Sequence, residues 1–259
     1  MKLSLSNWIF YRYPLDKNIQ LVKSLGFKNL EFNLICVKDR AKESVDEAKK
    51  LISSFGLNCL TVHSAGLYAK NSREVEKAVF YGKTSIDFAY KLSAPILVVH
   101  SYVSRKVSAE LRGKFLSQIF SRLKNYANRL NVKLALENLS LDSKGFGRSV
   151  SEVKEVLNVI GVEDIGLTLD FCHSQETGET FKFLDEFKGK ILNIHLSNNS
   201  HKTFTRKTKK LEDFLKKLLE ANYSGPLTLE LKPKCRFKNV LKTRMVVEGI
   251  LKSLGCFAF

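Results

Sequence analysis

The segment GLTLDFCHSQ, residues 166–175, sets a carboxylate, Asp170, at the end of an alternating apolar stretch and an imidazole, His173, three places later. Carboxylate oxygen and imidazole nitrogen are ligands for divalent cations, and the same groups move protons in hydrolysis and isomerisation. Five further segments end alike: NCLTVHS in His63, PILVVHS in His100, VKLALENLS in Glu137, ILNIHLSNN in His195 and GPLTLELKP in Glu230. In each, one parity is aliphatic and the other ends in the ionisable group. Leu134 and Leu136 oppose Ala135 and Glu137; Leu167 and Leu169 oppose Thr168 and Asp170; Leu192 and Ile194 oppose Asn193 and His195. Leu227 and Leu229 oppose Thr228 and Glu230, Leu60 and Val62 oppose Thr61 and His63, and Leu97 and Val99 oppose Val98 and His100. Successive strand residues face opposite sides, so the aliphatic set can pack outward while the six ionisable groups converge inward. Three carboxylates gathered in one place require compensating positive charge. A divalent cation supplies it and accepts imidazole nitrogens as well.

The elements that must position these groups follow a regular rhythm. KLSLSNW and NLEFNL join the six segments to make eight strand candidates, each followed by a loop and a helical pattern. SREVEKAVFYGKTSIDFAYKLS and SAELRGKFLSQIFSRLKNYANRLN carry apolar residues at three- and four-residue intervals, Ser149 or Ser151 can cap SEVKEVLNVI, and Gly26 and Gly161 sit where helices should stop. No Ser/Pro-rich linker divides the 259 residues. The expectation is an α/β fold, a single (β/α)8 TIM barrel over residues 1–259, with a doubly wound open sheet as the alternative. No apolar run approaches the ~20 residues of a membrane span, and MKLSLSNWIFYRYP reads as a first strand rather than a signal peptide. Cys36, Cys59, Cys172, Cys235 and Cys256 lack paired spacing, which points to a reducing, cytoplasmic setting without a zinc finger. The apolar tail CFAF reads as closing the underside of the barrel or as a subunit contact.

Forty-three Lys and Arg against 26 Asp and Glu give a formal charge of +17, which favours an anionic partner. Basic residues follow the carboxyl ends of strands: Lys38 and Arg40, Arg105 and Lys106, Lys144 and Arg148, Lys202 and Arg206 through Lys210, then Lys232, Lys234, Arg236 and Lys238. Arg105, Lys106, Arg148, Lys202, Arg206, Lys232 and Lys234 are the candidate phosphate contacts, around DNA or a small phosphorylated sugar. A solvated basic surface accounts for the same charges. Tyr68, Tyr102, Phe146, Phe204 and Phe237 are candidates to stack on a substrate or to anchor their loops.

On these strand-end residues and on the Asp-x-x-His of LDFCHS, the chain resembles the xylose isomerase-like barrels, also called the apurinic/apyrimidinic endonuclease family 2 fold. In its isomerase and epimerase branch the resemblance implies one Mn, Mg or Co ion held by Glu137, Asp170, His195 and Glu230, with His173 contacting substrate. In its endonuclease IV branch it implies zinc: His63 and His100 hold one ion, Glu137 bridges to a second held by Asp170, His195 and Glu230, and His173 binds a third. The endonuclease pattern wants an Asp-x-His pair after the seventh strand. HLSNNSHKTFTRKTKK instead offers His201 with Asn198 and Asn199, and an Asn oxygen is a neutral, poorer zinc ligand. One or two firmly held ions are therefore expected, with His173 and His201 left for a weak third ion or for substrate.

Two activities follow from the resemblance. A metal-dependent phosphodiester hydrolase acting on abasic-site DNA would use Glu137, Glu230 and His173 around two ions. A sugar or sugar-phosphate isomerase or epimerase would exchange a proton through Glu137 and Glu230. A non-catalytic barrel that keeps its ligands for binding alone is the third alternative.

Overall fold

The structure, a computed structural model, describes residues 1–37, 41–161 and 165–256. Lys38, Arg40 and the last three residues of the CFAF tail lie outside these. Eight parallel strands close into a barrel in chain order: β1 Lys2–Ser6, β2 Asn29–Asn33, β3 Asn58–His63, β4 Ile96–Val99, β5 Lys133–Glu137, β6 Ile165–Asp170, β7 Ile191–Leu196 and β8 Pro226–Leu229. Closure pairs β8 with β1, Leu3 lying opposite Leu227 and Leu5 opposite Leu229. The open sheet is thereby excluded.

The connecting helices are α1 Leu15–Ser24, α2 Ala41–Ser54, α3 Ser72–Lys91, α4 Ala109–Arg129, α5 Val150–Ile160, α6 Phe171–Glu176, α7 Thr180–Glu186, α8 Lys209–Glu220 and α9 Phe237–Ser253. Their starts follow capping chemistry. Asn71 accepts from Glu74 N, Ser108 from Leu111 N and Thr208 from Leu211 N, each satisfying a backbone donor the first turn leaves free. Ser149, not Ser151, caps α5 by accepting from Glu152 N at 3.2 Å. Gly161 ends that helix at φ 83°, a conformation that costs a residue with a Cβ. Lys209 and Lys210 are the first residues of α8, so part of the expected basic cluster belongs to a helix. No helix among the described residues is long and apolar enough to cross a membrane.

The parity read from sequence is the layering of the barrel. Val62, Leu97, Val99, Leu134, Leu136, Leu167, Leu169, Ile194, Leu227 and Leu229 are buried in one apolar cluster with helix residues such as Phe88, Phe120, Phe183 and Phe214. Burying each such side chain is worth roughly 1.5–3 kcal/mol. Leu60 and Leu192 depart from the pattern. The β2–β3 and β6–β7 registers shift beside them, and each is only half-buried, because a bulge residue leaves the regular alternation. The opposite parity is polar below the mouth as well as at it: Ser4, Ser6, Thr61, Thr168, Asn193 and Thr228 are all fully buried.

Close packing between β6 and β7 makes Gly166 the sensitive point of this layering. A Cβ there would overlap Leu192 Cγ and lie 2.8 Å from the Lys190 carbonyl oxygen, and the second contact is with backbone. Gly166→Ala should therefore destabilise the barrel by about 1–3 kcal/mol, measured by urea denaturation, without changing the metal ligands.

Candidate metal centre

The six strand-end groups meet at the carboxyl end of the barrel, where the βα loops rise. Local chemistry places His173. Asp170 ends β6 and caps α6, its Oδ1 accepting from His173 N at 2.8 Å, so the Asp-x-x-His spacing is one capped helical turn. Asn138, next after Glu137, clamps the same point: its Oδ1 accepts from Asp170 N at 2.7 Å and its Nδ2 donates to Asp170 O at 3.2 Å. The Asn138 carbonyl lies 2.9 Å from His173 Nδ1, which leaves Nε2 facing the mouth.

His201 arrives by a different route. Asn198 and Lys202 form an antiparallel bridge, and Ser200 and His201 take φ values of 56° and 53°, the left-handed region that non-glycine residues rarely occupy. The turn carries His201 back over the barrel, its Nε2 3.0 Å from that of His173. Asn198 Oδ1 accepts from Asn199 N at 2.9 Å. It closes this turn, and the residue turned into the mouth is the histidine.

All five histidines of the chain stand in this mouth, and four of them join carboxylates in two sets of donors. One ligand atom each from His63, Glu137, His195 and Glu230 lie within 4.8 Å of one another, and so do one each from Asp170, His173 and His201. Glu137 spans them. Its Oε2 is 3.0 Å from His63 Nε2 and 3.1 Å from His100 Nε2; its Oε1 is 2.9 Å from His195 Nδ1 and 4.0 Å from His173 Nδ1. Asp170 also stands between the sets, with Oδ2 3.7 Å from His173 Nδ1 and 3.9 Å from His195 Nδ1.

Opposing charges offset the cost of burial. Desolvation works to raise Glu137, yet His195, His100 and His63 hold it well below the ordinary carboxylate range. Burial and the adjacent Glu137 push Glu230 up, against His195. Burial opposes protonation of His63, but Glu137, Glu31 and Glu230 outweigh it and carry the group to about 9. His195 is raised well above its usual value by Glu31, Glu230 and Glu137 against burial, and His173 is raised by Asp170, Glu137 and Glu230 against the same penalty. His100 falls, because burial exceeds the attraction of Glu137.

The donors fit divalent cations. Imidazole nitrogens and carboxylate oxygens converge, and Asp170 Oδ2 is buried with no hydrogen-bond partner. Above them lies a cavity of about 330 Å³ whose lining includes Trp8, Asn33, Ile35, His63, Gly66, His100, Glu137, His173, His201 and Glu230. None of Arg105, Lys106, Arg148, Lys202, Arg206, Lys232 and Lys234 is among its lining residues. Arg105 pairs with Glu152 at 3.1 Å, and Arg148 donates to the Ser143 carbonyl. Lys106, Lys202, Arg206 and Lys234 are exposed, while Lys232 is tied through its backbone to the His201 carbonyl at 2.8 Å. Tyr102, Phe146 and Phe204 are buried as loop anchors.

Glu31 and Trp8 are not among the residues read from the sequence, and Tyr68 is there only as a candidate to stack or to anchor its loop. Glu31 on β2 is fully buried, with Oε2 2.9 Å from His195 Nε2. Leu30 and Phe32 flank it with the same alternation used elsewhere, a signal present in NLEFNL. Trp8 packs edge-on against His201 with ring centroids 5.5 Å apart, and no motif marks it. Tyr68 is stacked on His100, its OH 2.8 Å from Nδ1; proximity to His63 in sequence was its only signal.

A family profile described as "Xylose isomerase-like TIM barrel" matches residues 19–248. The chain belongs to this family. Within it, the uncharacterized protein MJ1188 of Methanocaldococcus jannaschii is 23% identical over 266 aligned positions, covering 98% of this chain and 97% of the relative. MJ1311 of the same organism is 21% identical over 181 residues, 66% of this chain and 61% of its own length. The probable endonuclease 4 of Mycoplasma capricolum is 26% identical over 176 residues, 61% of this chain and 59% of that protein. The chain thus spans about six-tenths of the length of two of these relatives. Among solved structures, a D-tagatose 3-epimerase-like protein superposes with TM-score 0.84 at 18% identity over 98% of each chain. AP endonuclease, family 2, from Brucella melitensis does so with TM-score 0.79 at 14% identity over 96% of this chain and 98% of its own. At these identities the likeness is one of fold.

Metal binding should compete with protons here. His63 rises from an ordinary 6.5 to about 9 in the metal-free fold, so its stabilising contribution is complete below pH 6.5 and lost as pH climbs through about 9. A cation needs the neutral ring, so zinc affinity should strengthen across the same window while the melting temperature of chelator-stripped protein falls. Competition titrations and thermal melts at pH 6.5, 7.5 and 9 measure both; zinc affinity that does not change with pH would contradict the assignment.

Proposed function

We propose that this barrel is a divalent-metal-dependent phosphodiester hydrolase of the endonuclease 4 kind, acting on DNA at an abasic site. The observation that supports it most is the gathering of four of the five histidines into two donor sets that Asp170 stands between. A single ion held by two Glu, one Asp and one His leaves His63, His173 and His201 without a ligand role. Two ions use them.

His63, Glu137, His195 and Glu230 would hold one cation, with His100 beside Glu137, and Asp170, His173 and His201 a second, zinc being the metal that suits so many imidazoles. Bound there, such ions orient and acidify water and neutralise phosphate oxygens. The chain's own residues do the rest. Glu137 turns one oxygen to His63 and the other to His195, which fixes these two imidazoles about it. Glu230, raised by burial and by Glu137, faces the cavity as a group able to take or return a proton. Trp8 and Ile35 wall the cavity and limit water entry. Beyond the cavity, Lys106, Lys202, Arg206 and Lys234 are exposed and free to meet flanking phosphates, with Arg105, Arg148 and Lys232 behind them.

The cavity's small volume and its lining, without Lys or Arg among the described residues, favour a second reading, a metal-dependent sugar or sugar-phosphate epimerase. There Glu137 and Glu230, which both approach His195 Nδ1, would flank a small polyol and exchange its proton.

Zinc-dialysed protein should carry close to two equivalents of metal by plasma mass spectrometry, falling to about one in His173→Ala. A value near one in the parent chain would favour the epimerase, and near three a full third site. Zinc-loaded protein should incise a duplex carrying an abasic site, with turnover lowered on the order of 100-fold or more by Glu137→Ala. Its DNA binding should weaken steeply with salt. Conversion of ketoses or sugar phosphates with no incision would overturn the hydrolase.

A further inference from the structure

Glu31 lies outside the strand-end ring, yet it is fully buried within the barrel, one layer below the mouth on β2. A carboxylate taken wholly from water is costly unless its hydrogen bonds are well made. Those of Glu31 run in one direction. Its Oε2 accepts from Thr61 Oγ1 at 2.8 Å and lies 2.9 Å from His195 Nε2. His195 is itself fully buried, with Nδ1 on the other side of the ring 2.9 Å from Glu137 Oε1, 3.4 Å from Glu230 Oε2 and 3.9 Å from Asp170 Oδ2. The imidazole therefore stands between Glu31 and the three cavity carboxylates. Stacking on His63, with centroids 5.6 Å apart and planes 11° apart, leaves rotation about the ring axis as the freedom still to be fixed.

We propose that Glu31 is a positioning residue for the metal centre: it accepts the Nε2–H of His195 and thereby turns the Nδ1 lone pair toward Glu137, Asp170 and Glu230. The role rests on the metal-dependent function proposed above, and on neither the hydrolase nor the epimerase in particular. A carboxylate behind a ligating imidazole both holds the ring and increases its basicity, and losing such a partner typically lowers metal affinity 10- to 100-fold. Thr61 acts one step further out by steadying the Glu31 oxygen that faces the ring.

The test is zinc affinity of the full chain, by competition with a chromophoric chelator. Glu31→Gln keeps an acceptor and loses the charge, so affinity should fall about 10-fold; Glu31→Ala should lower it by up to about 100-fold. The number of zinc ions bound at saturation should not change. In a His195→Ala background Glu31→Gln should add nothing, because the ring it orients is gone. Unchanged affinity in Glu31→Gln, or its full effect persisting without His195, overturns the proposal. Loss of one zinc equivalent also overturns it, making Glu31 a ligand in its own right. If the Glu31 variants fail to fold, Thr61→Val decides instead: a few-fold loss of affinity supports the proposal, and none refutes it. Since metal affinity is read rather than turnover, this result is separable from the outcome of the incision assay.

Discussion

Burial of like charge governs this molecule. Glu31, Glu137, Asp170 and Glu230 are all removed from solvent within one barrel, and each ion so placed costs several kcal/mol unless it is compensated. The compensation available from the chain itself is five imidazoles, with no lysine or arginine among the described residues that line the cavity. The electrostatics follow from that pairing: Glu137 is held ionised, while His63, His195 and His173 are biased toward protonation in the metal-free fold. An arrangement that must borrow protons to remain neutral is prepared to exchange them for divalent cations. The local devices serve the same constraint. The Asn138 clamp, the Asp170 cap and the left-handed turn before Lys202 each hold a donor where another donor already stands.

Strand parity made most of this legible. Apolar residues on one side and ionisable groups at the ends of the other are what a closed parallel barrel demands, so Glu137, Asp170, His195, Glu230, His63 and His100 declare themselves by position. Glu31 obeys the same rule but sits one layer lower, in the interior of its strand, where an isolated acid carries no partner in the local sequence. Its partner is 164 residues away. His201 was visible as a residue type and not as a position, since reaching His173 depends on two non-glycine residues in the left-handed region. Leu60 and Leu192 illustrate the opposite error: they fit the alternation on paper, while a bulge at each place removes them from the regular outer face.

Charge was harder to place than hydrophobicity. Basic residues do follow the strands, yet many are occupied locally: Arg105 with Glu152, Lys207 with Glu212, Lys209 with Asp213 and Arg244 with Glu248. Surface pairs of this kind contribute little to stability, about 0–1 kcal/mol, but they reduce the field that a nearby phosphate meets. Formal net charge therefore overstates how much of the surface is free to grip a polyanion.

That shifts the weight of substrate selection onto the centre. Glu137, Asp170 and Glu230 stand on the Nδ1 side of His195 and Glu31 on its Nε2 side, four carboxylates about one imidazole. A single divalent ion leaves them with two uncompensated negative charges, which repel phosphate and suit a neutral polyol. Two divalent ions cancel the four charges, so a phosphodiester meets no net repulsion there even with no lysine or arginine among the described residues of the wall. The missing basic lining, which at first favours a sugar, is then what a two-ion centre permits. Metal count and substrate class become one question, and the pairing of His173 with His201 is where it is decided, because that pair supplies the nitrogen donors that only a second ion needs.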